Sequence, residues 1–573
     1  MDSILAKATS LQGTVRKIWV PFLYLLAGLA LTYPIPLNPT RIVPLYNVDV
    51  LIALWNDWWF RKAITSGADL FFTPYLFYPY GISLATHSNS PLFSAVSALW
   101  FHVVGPLGAY NFTLWTLLVV GGVGMYLLVR DIGGDVFSAF TAGLVFAFAP
   151  YHLTQALAHP NLGSVQCFPY IALFLRRTMR YGGLFNALGV ALSLSLTVWS
   201  GLHLGLLAGL WTAAYTAWTI ATDKRSRRQS TLLTLITATA VAALLSAPAL
   251  APILKASPST LQRATSVNES LEGQTDLLAY ITPPCHHPLF EKWVAPICAR
   301  FMKNSQWIAF IGFVPLSLAV YAAVAERRES YFWWISGCLW VLFALGSFPR
   351  INGKVYLHIQ LPYALLDRIF PFSALRSSDR FNLLVPLSTA PLVGIALSRM
   401  RLRGWNLLIG LAILFEYLLV PIPAGPPLPV SPFLHQIEAD TQIYAILDLP
   451  MGRRPSKHWM YLQTIHNKPI VEGMVARLPP DAYTFIDNTP LLKALHQGTP
   501  LSSSPGADLC TLENLGIRYI FIHPTFVSSD TVRRWLNALS VPPSYQDEHL
   551  IVLTTRDGCA EQDKHSLLPP HRR

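Results

Sequence analysis

Asp49 opens the run DVLIALWNDWWFRK (49–62), in which a second carboxylate, Asp57, stands among three tryptophans and just ahead of Arg61 and Lys62. A carboxylate at the start of an apolar helix has two uses. It can satisfy the unpaired N–H groups of the first helical turn. At the edge of a membrane it can instead serve a reaction, because an ionisable group there is costly to keep. Trp55, Trp58 and Trp59 follow helical spacing and form one aromatic stripe, the composition of a belt helix at the headgroup level. A belt accounts for the tryptophans and leaves Asp49 unexplained. Asp57 has a competing partner in Arg61, one turn further along.

The elements that carry these residues follow from composition. Of 573 residues, 53% are hydrophobic and 13% charged, about half the charged share of a soluble domain. The chain reads as an α-helical polytopic membrane protein. Its formal charge of +12 is gathered in short clusters, RRTMR (176–180), DKRSRR (223–228), ERR (326–328) and RMRLR (399–403). That pattern belongs to cytoplasmic loops, not to a continuous face for nucleic acid, which is excluded as a partner. Lys7, Arg16 and Lys17 precede the first apolar run, read as an uncleaved span.

Apolar runs near 18–35, 109–129, 136–150, 164–176, 184–200, 202–221, 231–254, 306–325, 331–347, 381–398 and 405–421 predict eleven transmembrane helices. The runs 136–150 and 164–176 are short, and 91–105 reads as a helix lying in the outer interface. With the N-terminus cytoplasmic, every basic cluster and the loop RDIGGD (130–135) fall on one side. The large loops 36–108, 255–305 and 348–380 then face outward, as does everything after 421. The expected domains are a polytopic unit, 1–421, and a tail, 422–573, in which a Pro-rich linker leads to a small extracytoplasmic α/β domain. Its strands are read at 444–450, 469–474, 517–524 and 549–555.

Cys167 and Cys338 fall in apolar runs as small core residues. Cys285 and Cys298 share one outer loop, and Cys510 and Cys559 lie in the tail. In an oxidising compartment these four make two bridges, Cys285–Cys298 and Cys510–Cys559; in a reducing one they remain thiols. The run CHHPLFEKWVAPIC (285–298) also holds four zinc-ligand types, although adjacent histidines rarely both reach one ion.

The stretch from Asp49 through DLFFTPYLFYPYGISLATHSNSPLFSAVSALW (69–100) resembles the first outer loop of the GT-C superfamily of integral-membrane glycosyltransferases. The segments FAFAPYHLTQALAHPNLGSVQCFPYIALFL (146–175), FPFSALRSSDRFNLLVPLS (370–388) and LGIRYIFIHP (515–524) extend the resemblance over nearly the whole chain. It implies a GT-C-like fold at the plasma (inner) membrane, transferring a sugar from a polyprenyl-phosphate-linked donor to a glycan, lipid or protein acceptor on the outer face. Asp49 occupies the position of the family's general base, with Asp57 and His159 as runners-up. Many relatives carry a second acid in the loop after the third span. Here PYHLTQALAHPNLGS (150–164) has none, and offers His152, Gln155, His159 and Asn161 instead. A histidine there can act as base, and a His–Asn pair can bind sugar hydroxyls or simply satisfy a re-entrant turn. Without the second acid a divalent metal stays unassigned, and no other cofactor is implied. Trp55, Trp58, His152 and Asn161 are the expected sugar or acceptor contacts. Arg376 and Arg380, one turn apart, suit a donor phosphate, or else anchor themselves to Asp379 or Asp367. The loop 268–280, with Glu269, Glu272 and Asp276, is either an acceptor wall or a solvated loop. Two other classes compete: a non-catalytic scaffold for envelope glycan assembly, and a lipid or glycan transporter. The transporter lacks the buried charges and paired broken helices such proteins use.

Overall fold

The computed structural model describes residues 19–45, 48–223, 229–256, 273–301, 308–375, 377–400, 405–501 and 505–557. Lys7, Arg16, Lys17, Glu269, Glu272, Arg376 and Cys559 lie outside the described residues. The chain divides into two compact units, Met1–Tyr46 with Asn89–Ala251 and Gln262–Gly425, and Asn47–Ser88 with Pro252–Leu261 and Pro426–Arg573.

The first unit is helical. Among the described residues, Pro91–Ile132, Leu202–Thr222, Thr231–Leu254 and Ser378–Met400 are four helices long and apolar enough to cross a membrane. A fifth span results if Val136–Phe148 and Pro150–Ala158, bent by 47° at their junction, count as one. The bend has a local cause. Pro150 pushes Ala149 out of helical geometry, to φ −46° and ψ 131°. Trp19–Leu31, Leu184–Ser200, Phe313–Ala325 and Leu407–Glu416 are shorter apolar helices. The expected division between 91–105 and the next span falls at Gly105, whose φ of 71° breaks the helix Pro91–Ile132 and is a conformation glycine adopts without strain. Leu233, Ile236 and Leu244 stand exposed along Thr231–Leu254, a surface that suits hydrocarbon better than water.

Loops expected on the same side of the membrane meet in pairs. Asp131 bonds Arg176 at 2.5 Å and Arg177 at 2.6 Å, joining RDIGGD to RRTMR. Arg399 meets Glu326 at 3.0 Å, joining RMRLR to ERR. Val43–Pro44 and Ala424–Gly425 pair antiparallel, so the two points where the chain leaves this unit for residues 47 and 426 lie side by side.

The second unit carries a four-stranded sheet in the order Ala445–Leu449, Ile517–Ile522, Ile551–Thr554, Tyr545–Gln546. The first two strands are parallel and the other pairs antiparallel. AILDL is buried at all five positions, as the near-continuous apolar run of a covered strand requires. Residues 469–474, expected as a strand, contribute only an isolated bridge from Ile470 to Ile446.

The sheet does not stand alone. Helix Val48–Ser66 packs beside helix Ser456–His466, and the tryptophan stripe is what joins them. Trp55 Nε1 donates to Gln463 Oε1 at 2.7 Å, and Trp58 Nε1 to Asn467 Oδ1 at 3.0 Å. The Gln463 amide donates in turn to the Tyr75 carbonyl at 2.6 Å, and Ile470 N–H to the same oxygen at 2.9 Å. Two expectations are corrected here. The segment 47–88 clusters with 426–573, so the second unit is more than the tail, although a unit boundary does fall at 425/426, close to the expected 421/422. The stripe is core and not a belt, because Trp55 is 0% and Trp58 9% exposed, which leaves neither ring a face for a sugar or a headgroup.

Cys285 and Cys298 form a disulfide. His287 Nε2 lies 2.8 Å from the Phe415 carbonyl, so the zinc alternative for this loop gives way. Cys510 is also disulfide-bonded, while Cys559 lies outside the described residues.

Two outcomes follow. Trp55→Ala empties a fully buried site and strands Gln463, so it should lower stability by about 3–5 kcal/mol, read by chemical unfolding in detergent; a loss below about 1 kcal/mol would mean the stripe is peripheral. Peptide mapping after alkylation without reduction should leave Cys285 and Cys298 unlabelled, and their bridge should contribute about 3 kcal/mol in the chain-entropy account.

Candidate functional site

Asp49 lies in the first turn of Val48–Ser66, where helix geometry favours a carboxylate. Its Oδ1 accepts a hydrogen bond from Lys457 Nζ at 2.5 Å, with 30% of the Asp49 side chain and 17% of the Lys457 side chain exposed. Lys457 is held from behind. It sits in the first turn of Ser456–His466, where Ser456 Oγ bonds the Gly452 carbonyl at 2.8 Å and Trp459 Nε1 the Pro450 carbonyl at 3.0 Å. Gly452 N–H donates to Glu472 Oε2 at 2.7 Å, closing the turn that leads into the helix.

His87 stands beside this pair and is 5% exposed. Ala476 N–H donates to its Nδ1 at 3.3 Å, and its Nε2 lies 3.0 Å from Asn56 Oδ1. Asn56 Nδ2 donates to the Ser88 carbonyl at 3.1 Å, so Oδ1 is the acceptor and the proton of neutral His87 belongs on Nε2. Arg453 donates to the Ala476 carbonyl at 2.8 Å. Burial first, then the Arg453 charge, pulls His87 down to about 4, with Asp49 opposing. His87 is therefore a neutral hydrogen-bonding post at neutral pH. Asp57 is 3% exposed and opposes the effect of burial on Arg61, whose guanidinium is pulled below its ordinary value. The two residues, one turn apart, thus act on each other electrostatically.

In the first unit, His159 stands just before the short helix Pro160–Gly163 and lies within electrostatic reach of Asp379, as do Arg380 and Tyr151. Arg380 thus keeps the company of Asp379, and Asp379 supplies a carboxylate near the loop 150–164 that lacks its own. His152 is corrected. It is 1% exposed, with Nδ1 2.7 Å from the Phe146 carbonyl and Nε2 2.9 Å from the Leu383 carbonyl, a tie between helices with no nitrogen left for a sugar. Asn161 is 9% exposed. Asp276, expected in an acceptor wall, caps Leu277–Tyr280 and accepts from the N–H groups of Asn352, at 3.0 Å, and Gly353, at 2.7 Å. Among the described residues no three His, Cys, Asp or Glu side chains gather into a cation donor set.

Sequence reasoning missed Lys457, His87 and Gln463. It also missed Asp448 and His523, paired at 2.9 Å with 4% of each side chain exposed, at the C-terminal ends of the two parallel strands. Trp459 stacks on His523 at 3.7 Å and seals the pair. Pro455–Ser456 signals a helix start, but nothing local in the sequence announces the partners of these residues.

In fold the chain is similar to solved structures of the GT-C type. The structure is similar to the arabinofuranosyltransferase AftD from Mycobacteria, with a TM-score of 0.54, 16% identity and 88% of this chain covered. The chain spans 34% of the length of that enzyme. It is also similar to the Archaeoglobus fulgidus oligosaccharyltransferase in the apo form, with a TM-score of 0.50, 12% identity, and 91% of this chain and 72% of that one covered. Residues 22–418 match the family described as a domain of unknown function, DUF6311, and the chain belongs to that family. No curated protein matches the sequence.

The His87 environment sets a pH dependence. Its value of about 4 lies below the ordinary 6.5, so between these values the unfolded chain takes a proton that the fold refuses. The contribution is complete above about pH 6.5 and falls by about 3 kcal/mol as pH drops toward 4. His466, pulled to about 3 by burial, adds to the same loss. Unfolding of His87→Gln at pH 7 and pH 4 should show a smaller drop than the unsubstituted chain by about 3 kcal/mol; equal drops would remove His87 from the account.

Proposed function

We propose that this protein is a membrane glycosyltransferase that moves a sugar from a polyprenyl-phosphate-linked donor to an acceptor on the outer face of the plasma membrane, with Asp49 as general base. The observation that carries the reading is a partly exposed carboxylate in the first turn of the helix that follows the first apolar helix, in a chain of GT-C fold. Inverting transfer needs such a group. The acceptor hydroxyl loses its proton to the base as its oxygen bonds the anomeric carbon, and the phosphate leaves from the opposite face with the electron pair. Arg376 and Arg380 are the proposed donor-phosphate contacts, and His159, beside Asp379, is the alternative base. Eleven spans with a cytoplasmic N-terminus and an outward-facing tail complete the proposal. The pairing of RDIGGD with RRTMR, and of ERR with RMRLR, supports that alternation.

The decisive assay follows release of polyprenyl phosphate from a panel of polyprenyl-phosphate hexoses and pentoses by the full chain in detergent. Asp49→Asn keeps the shape of the side chain and should reduce transfer by roughly 10²–10⁴-fold, with stability changed by less than about 1 kcal/mol because the pair is partly exposed. Asp57→Asn should be milder. Full transfer by Asp49→Asn would move the base to His159, and a wild-type chain inert with every donor would favour the scaffold.

A further inference from the structure

Lys457 is the residue the base hypothesis does not absorb. An ammonium at 2.5 Å from Asp49 Oδ1 disfavours protonation of that carboxylate, which on its own is a poor arrangement for a base. The arrangement becomes useful when charge is followed through the transfer step. Before reaction, the negative charge sits on Asp49 and the donor phosphate is a diester. The acceptor O–H proton passes to Asp49, the acceptor oxygen bonds the anomeric carbon, and the bond from that carbon to the phosphate oxygen breaks with its electron pair on phosphate. One unit of negative charge has then left the carboxylate and arrived on the leaving phosphate.

We propose that Lys457, carried by the C-terminal segment of the chain, is the cation that follows this charge from Asp49 to the leaving phosphate of the lipid-linked donor. The inference rests on the glycosyl-transfer reading and adds a phosphate-binding residue to it. Three features support it. The pair is partly exposed, within reach of a ligand. The helix start that presents Lys457 is fixed by Ser456, Trp459 and the Gly452–Glu472 bond, so little reorganisation attends the exchange of partners. Arg454, three residues before it, is exposed and keeps the local potential positive. Lys457 bonds Asp49 directly, and His87 feels the charges of both Asp49 and Arg453. His87 is neutral in the working range, whereas Lys457 is a cation in direct contact with Asp49.

The experiment measures binding of polyprenyl phosphate, with the uncharged polyprenol as control, to the full-length chain in nanodiscs. Lys457→Gln should weaken polyprenyl phosphate at least tenfold and leave polyprenol unchanged, and Lys457→Arg should stay within about threefold, since it keeps the charge. Asp49→Asn should move the other way and tighten polyprenyl phosphate, because it removes the lysine's competing anion. A merely structural lysine predicts that both substitutions weaken both lipids alike. Unchanged phosphate affinity in Lys457→Gln, or no gain in Asp49→Asn, overturns the role of Lys457 and leaves the transferase reading standing. A wild-type chain that binds no polyprenyl phosphate overturns both.

Discussion

Three indole N–H groups hold the second unit together. Helix Val48–Ser66 has Trp55 bonded to Gln463, 408 positions away in sequence, Trp58 bonded to Asn467, and Trp59 bonded to the Leu70 carbonyl at 3.3 Å. A buried indole needs an acceptor as well as apolar contact. Satisfying all three at once fixes the rotation of the helix and therefore the direction in which Asp49 points. The Asp49–Lys457 pair sits at one end of this contact and inherits its geometry. Without the stripe, a partly exposed ion pair would be worth little and its position would be loose.

The polar residues of the chain are few and are used in tight groups. In the first unit, Asp131 gathers Arg176 and Arg177, and Asp379 gathers Arg380, His159 and Tyr151. In the second, Asp49, His87, Arg453 and Lys457 share one neighbourhood, and Asp448 with His523 fastens the ends of the parallel strands. These last two sites differ in purpose. The Asp448–His523 pair is covered by Trp459 and has no approach for a ligand, so its burial spends specificity on the sheet alone. The Asp49–Lys457 pair leaves 30% of the Asp49 side chain exposed. Accessibility, more than residue type, separates the candidate site from the structural clamp.

Much of this was written in composition and spacing. The low charge content and the apolar runs determined a helical membrane protein, because hydrocarbon admits little else. The expected ends of 91–105 and 136–150 coincide with breaks at Gly105 and before Pro150, where backbone constraints act locally. Clustered arginines, expected in loops, fall largely on helix ends, and AILDL and IRYIFI marked strands through their apolar runs. Asp49 was legible as an acid in an unusual place, and Cys285 and Cys298 as neighbours in one loop.

What the sequence could not decide is who meets whom. Trp55, Trp58 and Trp59 have the same spacing whether they face headgroups or a protein core, and only the partner helix, some four hundred residues on, tells the two apart. His152 has the chemistry of a sugar ligand until two backbone carbonyls claim its nitrogens. Lys457 lies in an unremarkable helix start, and Asp379 reads as the filling between two arginines. Their roles come from contacts across long loops, whose closure depends on the summed burial of the whole unit and leaves no local trace. Segment 47–88 belongs with the tail for the same reason: its stripe finds its acceptors there.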